Sequence, residues 1–403
     1  MVSPAKIWSA LFSNRMDLKR IQESLRREKL DGWLFFDHHV RDALAYRVLG
    51  VTPSGHVSRR WYYYVPAEGE PRGLVHRIEA KQLDAIPGEK IAYSSWREQQ
   101  DGLAKLLKGS KRVAMQYSAR CAIPYVAMVD AGTVELVRDL GVTVVTSAEL
   151  IQEFEACLSA EQYESHLEAG RRVDRIRAGA FRFIAEKLAG GVDEVMVRDW
   201  VRTQFRDAGL FTDSGPIVGV NAHAGDPHYE PTPETSVEIR PGDFVLLDMW
   251  AKLDRPGSVY YDITWTGFCG DPPERVSRVF EIVRDARDKA VNAVVNAVAE
   301  GRVIRGFEVD DAARGHISAA GFGDNFVHRT GHSIGEEVHG SGANMDNLET
   351  HDERRIVPGA LFSVEPGIYL EGFGVRSEVN VYVGAGKAST TGEVQRELVR
   401  ITG

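Results

Sequence analysis

The chain has 403 residues, 43% of them hydrophobic and 27% charged, which is enough for two domains with separate cores. Its formal charge of −9 argues against a general affinity for nucleic-acid backbones or anionic lipid surfaces. Three cysteines, Cys121, Cys157 and Cys269, stand far apart with no CxxC pair, which argues against a disulfide framework and for a reducing compartment.

The opening stretch, MVSPAKIWSALFSNRMDLKRI, has no continuous apolar core before its charges and reads as lacking a signal peptide. No apolar run approaches the roughly 18 residues of a membrane helix, so the expectation is a soluble, cytoplasmic protein with no membrane partner.

Short aromatic or β-branched runs follow: DGWLFF (31–36), RRWYYYV (59–65), KIAYSS (90–95), RVAMQY (112–117) and VTVVTS (142–147). Between them, WREQQDGLAKLLKG and YVAMVDAGTVELVRDLG have helical spacing and end at glycine. This alternation predicts an α/β domain over residues 1–155. His38 and His39, in DHHVRD, read as a surface loop after a strand.

From residue 156 to 403 the rhythm changes. SAEQYESHLEAGRRVDRIRAGAFRFIAEKLAGG predicts a long helix, with Ser159 and Gln162 as its capping box. A second helix, DEVMVRDWVRTQFRDAG, precedes the extended segments GPIVGVNAHAG, GDFVLLDMWA and SVYYDITWTGF. The plan then repeats, with helices in DPPERVSRVFEIVRDARDKAVNAVVNAVAEG and EVDDAARGHISAAG, and extended ALFSVEPGIYL and GVRSEVNVYV.

Counting supports the repeat. Asp248 comes six residues after Gly242 of a Pro-Gly turn, and Glu365 six after Gly359 of another. A second acid follows each, Asp262 at 14 residues and Glu378 at 13. Alternate strand residues share a face, so Phe244, Leu246 and Asp248 point together, as do Tyr260, Asp262 and Thr264, and Arg376, Glu378 and Asn380. Carboxylates in apolar strands are costly to bury unpaired. Two facing half-domains would bring all four together, and two divalent cations, ~3.5–4 Å apart, would offset their repulsion. An oxygen-rich set with one imidazole suits Mn²⁺ or Co²⁺, and Zn²⁺ less distinctively.

Histidines 328, 332 and 339 crowd HRTGHSIGEEVHG. His328 and His332 have the i, i+4 spacing of HExxH, but no glutamate lies between them and glycines interrupt the run. One histidine completing the carboxylate set, with the others flanking the reacting group, fits better.

Asp248, Asp262, His332, Glu365 and Glu378, in that order and set in GHSIG, VEPGIY and VRSE, resemble the pita-bread metallopeptidases, in the branch of prolidase, aminopeptidase P and creatinase. The resemblance covers about residues 158–400. It implies an α+β chain: a C-terminal pita-bread fold with pseudo-twofold halves, preceded by a creatinase-like α/β domain. It implies that Asp248 holds one of two divalent metals, that Asp262 and Glu378 bridge them, and that His332 and Glu365 complete the shells. Glu365 would also handle the proton of the nucleophilic water. His328, His339 and His228 (in DPHYEP) match the family's substrate-side histidines, with Tyr369 of VEPGIY beside them. Arg376 either neutralises the acids or binds a dipeptide's carboxylate. The implied activity is hydrolysis of Xaa-Pro peptides by a metal-dependent dipeptidase, usually a homodimer. The alternatives are an aminopeptidase acting on longer peptides, an amidase for a non-peptide substrate and a non-catalytic peptide-binding module.

Two stretches depart from the family pattern. The span from Asp248 to Asp262 is a few residues longer than usual, with Pro256 and Gly257 expected to form a turn that absorbs the excess. Residues 340–355 lack the usual His-Glu-x-Pro pattern.

Overall fold

The computed structural model describes residues 16–53 and 55–402. The N-terminal stretch read above as carrying no signal peptide therefore lies outside the described residues as far as residue 15. The chain divides between Glu155 and Ala156 into two compact units.

The first unit is built on a six-stranded sheet: β1 (Gly32–Asp37), β2 (Trp61–Pro66), β3 (Arg72–His76), β4 (Glu89–Tyr93), β5 (Arg112–Met115) and β6 (Thr143–Thr146), in the order β4-β3-β2-β1-β5-β6. Only β2 runs against its neighbours. Helices α1 (Leu18–Arg27), α2 (Ala43–Leu49), α3 (Trp96–Leu106) and α4 (Ala131–Asp139) cover both faces. The unbroken aromatic runs follow from this, because alternate residues serve opposite cores: Trp33 and Phe35 pack with α1 and α2, Leu34 and Phe36 with α3 and α4. Helical spacing from residue 125 overran. Asp130 caps α4 through the Thr133 N–H, so the helix starts there, and only a short 3₁₀ turn, Pro124–Val126, precedes it.

In the second unit, α5 (Ala160–Lys187) begins at the Ser159/Gln162 capping box and α6 (Glu194–Asp207) follows. Next come β7 (Leu210–Phe211), β8 (Ile217–Val220), β9 (Phe244–Leu253) and β10 (Tyr261–Cys269). The segment read as extended through NAHAG turns instead into a 3₁₀ helix, Asn221–Gly225. A second pair of helices, α7 (Glu274–Ala299) and α8 (Gly306–Ala319), leads to β11 (Leu361–Val364), β12 (Gly367–Leu370), β13 (Phe373–Arg376), β14 (Val379–Gly384), β15 (Lys387–Thr391) and β16 (Val399–Ile401).

The two halves share a turn as well as an order. Gly242 and Gly359 have φ of 92° and 94°, and Asp243 and Ala360 each donate a backbone N–H three residues back, at 3.1 Å. Proline followed by a left-handed glycine is the chemistry of a type II turn, and each turn starts a strand that carries an acid or leads into one. Strand β9 lies between two cores. Val245, Leu247 and Met249 pack toward α5 and α6, while Phe244 and Leu246 pack with α7 and α8. Asp248 shares the second face.

Candidate metal centre

The β9–β10 hairpin sets Asp248 opposite Thr264 and Asp262 opposite Trp250, so both acids lie on one face, two residues apart in register. Gly257, with φ of 76°, sits in the turn expected at the tip. Glu378 comes from the break between β13 and β14, where its N–H donates to the Thr264 carbonyl at 3.2 Å. Asn380 clamps the same strand: its side chain accepts from the Asp262 N–H at 3.1 Å and donates to the Asp262 carbonyl at 2.6 Å. Arg376, Glu378 and Asn380, read as one strand, are thus divided by a break that lets Glu378 turn into the site.

Ligand atoms of Asp262, His332 and Glu378 lie within 4.8 Å of one another, and all three residues are buried. Nε2 of His332 is 3.6 Å from Asp262 and 3.3 Å from Glu365. Nδ1 of His332 lies 3.2 Å from the Ser333 carbonyl, which can only accept, so Nδ1 carries a proton and Nε2 is the ring atom turned to the acids. Ser363 donates to Glu365 at 3.2 Å and Thr264 to Glu378 at 2.9 Å. Asp262 Oδ1 and Glu378 Oε1 are buried with no hydrogen-bond partner among the described residues. An orphaned carboxylate oxygen is expensive, and two in one cluster fit a cation.

Electrostatics point the same way. Burial, then Asp248 and Glu365, pushes Asp262 well above the usual carboxylate range, and burial, then Asp262, does the same to Glu378. Burial outweighs the Arg376 charge at Asp248, which is also raised. At Glu365 burial is overcome by the His332 hydrogen bond and the Arg376 charge, which hold it below its ordinary value. Without cations the cluster resists full ionisation, and positive charge placed among these carboxylates would favour their ionised forms.

A second layer surrounds the acids. Arg376 donates to Asp248 at 2.5 Å, to Thr264 at 3.0 Å and to the Tyr369 hydroxyl at 3.0 Å. Tyr369 lies 2.7 Å from Nε2 of His328, whose Nδ1 lies 2.7 Å from the Arg329 carbonyl. That carbonyl accepts, so Nδ1 donates and Nε2 takes the tyrosine proton. Burial keeps His328 neutral, pushed down to about 4. His339 packs edge-on to His332, ring centroids 4.3 Å apart, and lines a cleft of about 350 Å³ with Phe211, Asp213, Lys252, Tyr260 and Val338. Burial and then His332 push His339 down to about 4. His228 lies on an exposed loop whose Pro227 carbonyl faces Arg376 at 3.5 Å; its own N–H bonds Asp226.

Sequence reading missed the hydroxyls of Thr264 and Ser363 and the bracing of residues 340–355. Asn344 of that loop accepts the Ser333 N–H at 3.2 Å beside His332, and a buried Asp352–Arg354 pair bonds the Asn344 N–H and the Ser341 carbonyl. The sequence already puts Thr264 on the face of Asp262; its bond to Glu378, 114 residues away, has no spacing signal. Among the described residues no helix is long and apolar enough to cross a membrane.

The sequence profile of metallopeptidase family M24 matches residues 164–385. Probable dipeptidase PepE of Mycobacterium tuberculosis is 28% identical over 341 residues, 83% of this chain and 84% of that protein. An Xaa-Pro dipeptidase of Lactobacillus delbrueckii subsp. lactis is 30% identical over 231 residues, 57% of this chain and 58% of the relative. The crystal structure of dipeptidase PepE from Mycobacterium ulcerans superposes with a TM-score of 0.70 at 24% identity, covering 97% of this chain and 100% of that one.

Proposed function

The chain belongs to metallopeptidase family M24 and has its pita-bread fold, and from that premise we propose that it hydrolyses the Xaa-Pro bond of dipeptides. The observation that carries this reading is the buried cluster of Asp262, His332 and Glu378 with its two orphaned carboxylate oxygens. In this reading Asp248, Asp262, His332, Glu365 and Glu378 hold two divalent ions, Mn²⁺ first and Co²⁺ or Zn²⁺ as the other candidates. Bound there, such ions supply an ionised water near neutral pH and a Lewis acid for the scissile carbonyl.

The chain's own residues do the rest. Glu365, held ionised by its cationic and imidazole neighbours, takes a proton at its carboxylate and delivers it to the proline nitrogen as the bond breaks. That nitrogen belongs to a tertiary amide with no N–H, so nothing in the site needs to accept one. Neutral His339 donates to the carbonyl oxygen as charge develops there. His328 orients Tyr369 toward Arg376, and the exposed ring of His228 positions the peptide from the loop above. Arg376, engaged by Asp248, Thr264 and Tyr369, balances the acids; its place beside them also leaves it able to face a substrate carboxylate.

We further propose that residues 1–155 form the N-terminal domain and 156–403 the catalytic one, and that the chain works as a cytoplasmic homodimer. The resemblance to the two-domain branch, the wide spacing of the cysteines in sequence and the acidic charge support this.

The test is turnover of Ala-Pro by chelated protein before and after Mn²⁺ is restored. Recovery with metal is expected; no turnover with Mn²⁺, Co²⁺ or Zn²⁺ sinks the reading.

A further inference from the structure

The first unit contains a cleft of about 620 Å³ that the hydrolytic chemistry leaves unused. It opens at the carboxyl ends of β1, β3 and β4, which run parallel, and the chain enters β2 at the same end. Helices α3 and α4 both start there, at Ser95 and Asp130, with Ser94, Ser95, Gly132 and Thr133 in the wall. In open sheets this end is where ligands bind, and helix N-termini there favour anions.

The side chains agree with the backbone. Arg41, Arg59 and Arg60 line the cleft, and among the described residues none of them makes an ion pair. Arg41 donates to the His38 carbonyl at 2.8 Å, a neutral partner, and Arg59 to the Ser58 hydroxyl at 3.0 Å, with its charge partly offset by Glu79. Asp130 is the one carboxylate in the wall among the described residues, and it is occupied in accepting from Thr133. Glu79, nearby, is turned to the Ser58 and Arg59 N–H groups.

The loop that presents His38 and Arg41 is held in a strained form. His39 and Val40 have φ of 65° and 56°, a conformation unfavourable for a β-branched residue. The buried Asp37 carboxylate fixes it by accepting from Val40, Arg41, Asp42 and the Tyr46 hydroxyl. Phe36, Tyr93, Leu136 and Trp96, the last 58% exposed, supply an apolar wall.

We propose that this cleft binds a phosphomonoester with an aromatic or apolar body. Three guanidiniums against Asp130 in the wall and Glu79 at the edge leave the cleft positive, and a phosphomonoester carries about −1.5 to −2 near pH 7, where a carboxylate carries one charge. Guanidinium forks also suit phosphate geometry. The volume lies within the roughly 300–1,000 Å³ of small-molecule sites.

The test is calorimetric titration of the full-length protein with phenyl phosphate, inorganic phosphate and benzoate at constant ionic strength. Phenyl phosphate is expected to bind most tightly, and R41Q and R60Q should each weaken it about tenfold or more. If R60Q melts low, R41Q carries the comparison, because Arg41 is exposed. Benzoate binding as tightly as phenyl phosphate overturns the proposal. So does undiminished binding in both variants, which would place the anion at the cation centre of the other unit.

Discussion

Nη2 of Arg376 lies 2.5 Å from Oδ2 of Asp248, putting a guanidinium against one of five groups otherwise dominated by carboxylates. The same guanidinium also bonds Thr264 and Tyr369, a pattern that a planar fork can make and an ammonium cannot. Replacing it therefore removes charge balance and orientation together. R376Q is expected to lower kcat/KM for an Xaa-Pro dipeptide by roughly 100-fold, about 2.7 kcal/mol, and R376K to recover little of it. Steady-state kinetics on both variants checks this; full activity in R376K contradicts it.

Thr264 donates to Glu378 at 2.9 Å, leaving only the other carboxylate oxygen unpartnered. T264V keeps the shape and removes the donor. Metal affinity should fall by about 10- to 100-fold, the usual cost of losing a group that orients a ligand. Titration of chelated protein with Mn²⁺ reads this directly, and an unchanged affinity would show that Thr264 plays no part.

Gly331 precedes His332, and a Cβ added there would lie 2.0 Å from the Ser363 carbonyl oxygen. The backbones meet there because the Ser363 N–H bonds the His332 carbonyl at 2.8 Å. G331A must push the two segments apart, at a cost of ~3 kcal/mol or more. A lower denaturation midpoint is expected, with metal binding lost in whatever protein still folds.

His166 is buried, with Nδ1 2.7 Å from the Tyr260 carbonyl and Nε2 2.7 Å from the Thr391 hydroxyl. Burial lowers its pKa from 6.5 to about 4. The unfolded chain therefore binds the proton more readily, so stability is fully present above pH 6.5 and falls as pH drops toward 4, by about 3 kcal/mol. Urea midpoints across that window should decline less steeply in H166Q than in the native protein. Parallel declines would remove His166 from the account.

Much of this site was legible because its signals are local. A Pro-Gly turn sets where a strand starts, and a period of two then decides which face an acid joins, so Asp248 and Asp262 could be paired on paper. The resemblance supplied the order of the five residues. What escaped was contact over long sequence distances: Ser363 bonding the N–H of His332, or Arg287 donating to the Ser377 hydroxyl beside Glu378. Such partners have no spacing rule. In the first unit the sequence reading passes over β3 and helices α1 and α2, although Leu18, Ile21 and Leu25 of α1 recur at helical spacing.

The central claim is that five side chains from both halves of the second unit hold two cations. Anomalous diffraction from a crystal grown with Mn²⁺, collected at the manganese edge, tests it most directly. Two peaks bounded by Asp248, Asp262, His332, Glu365 and Glu378 are expected. A site with no peak, or peaks confined to other residues, would contradict it.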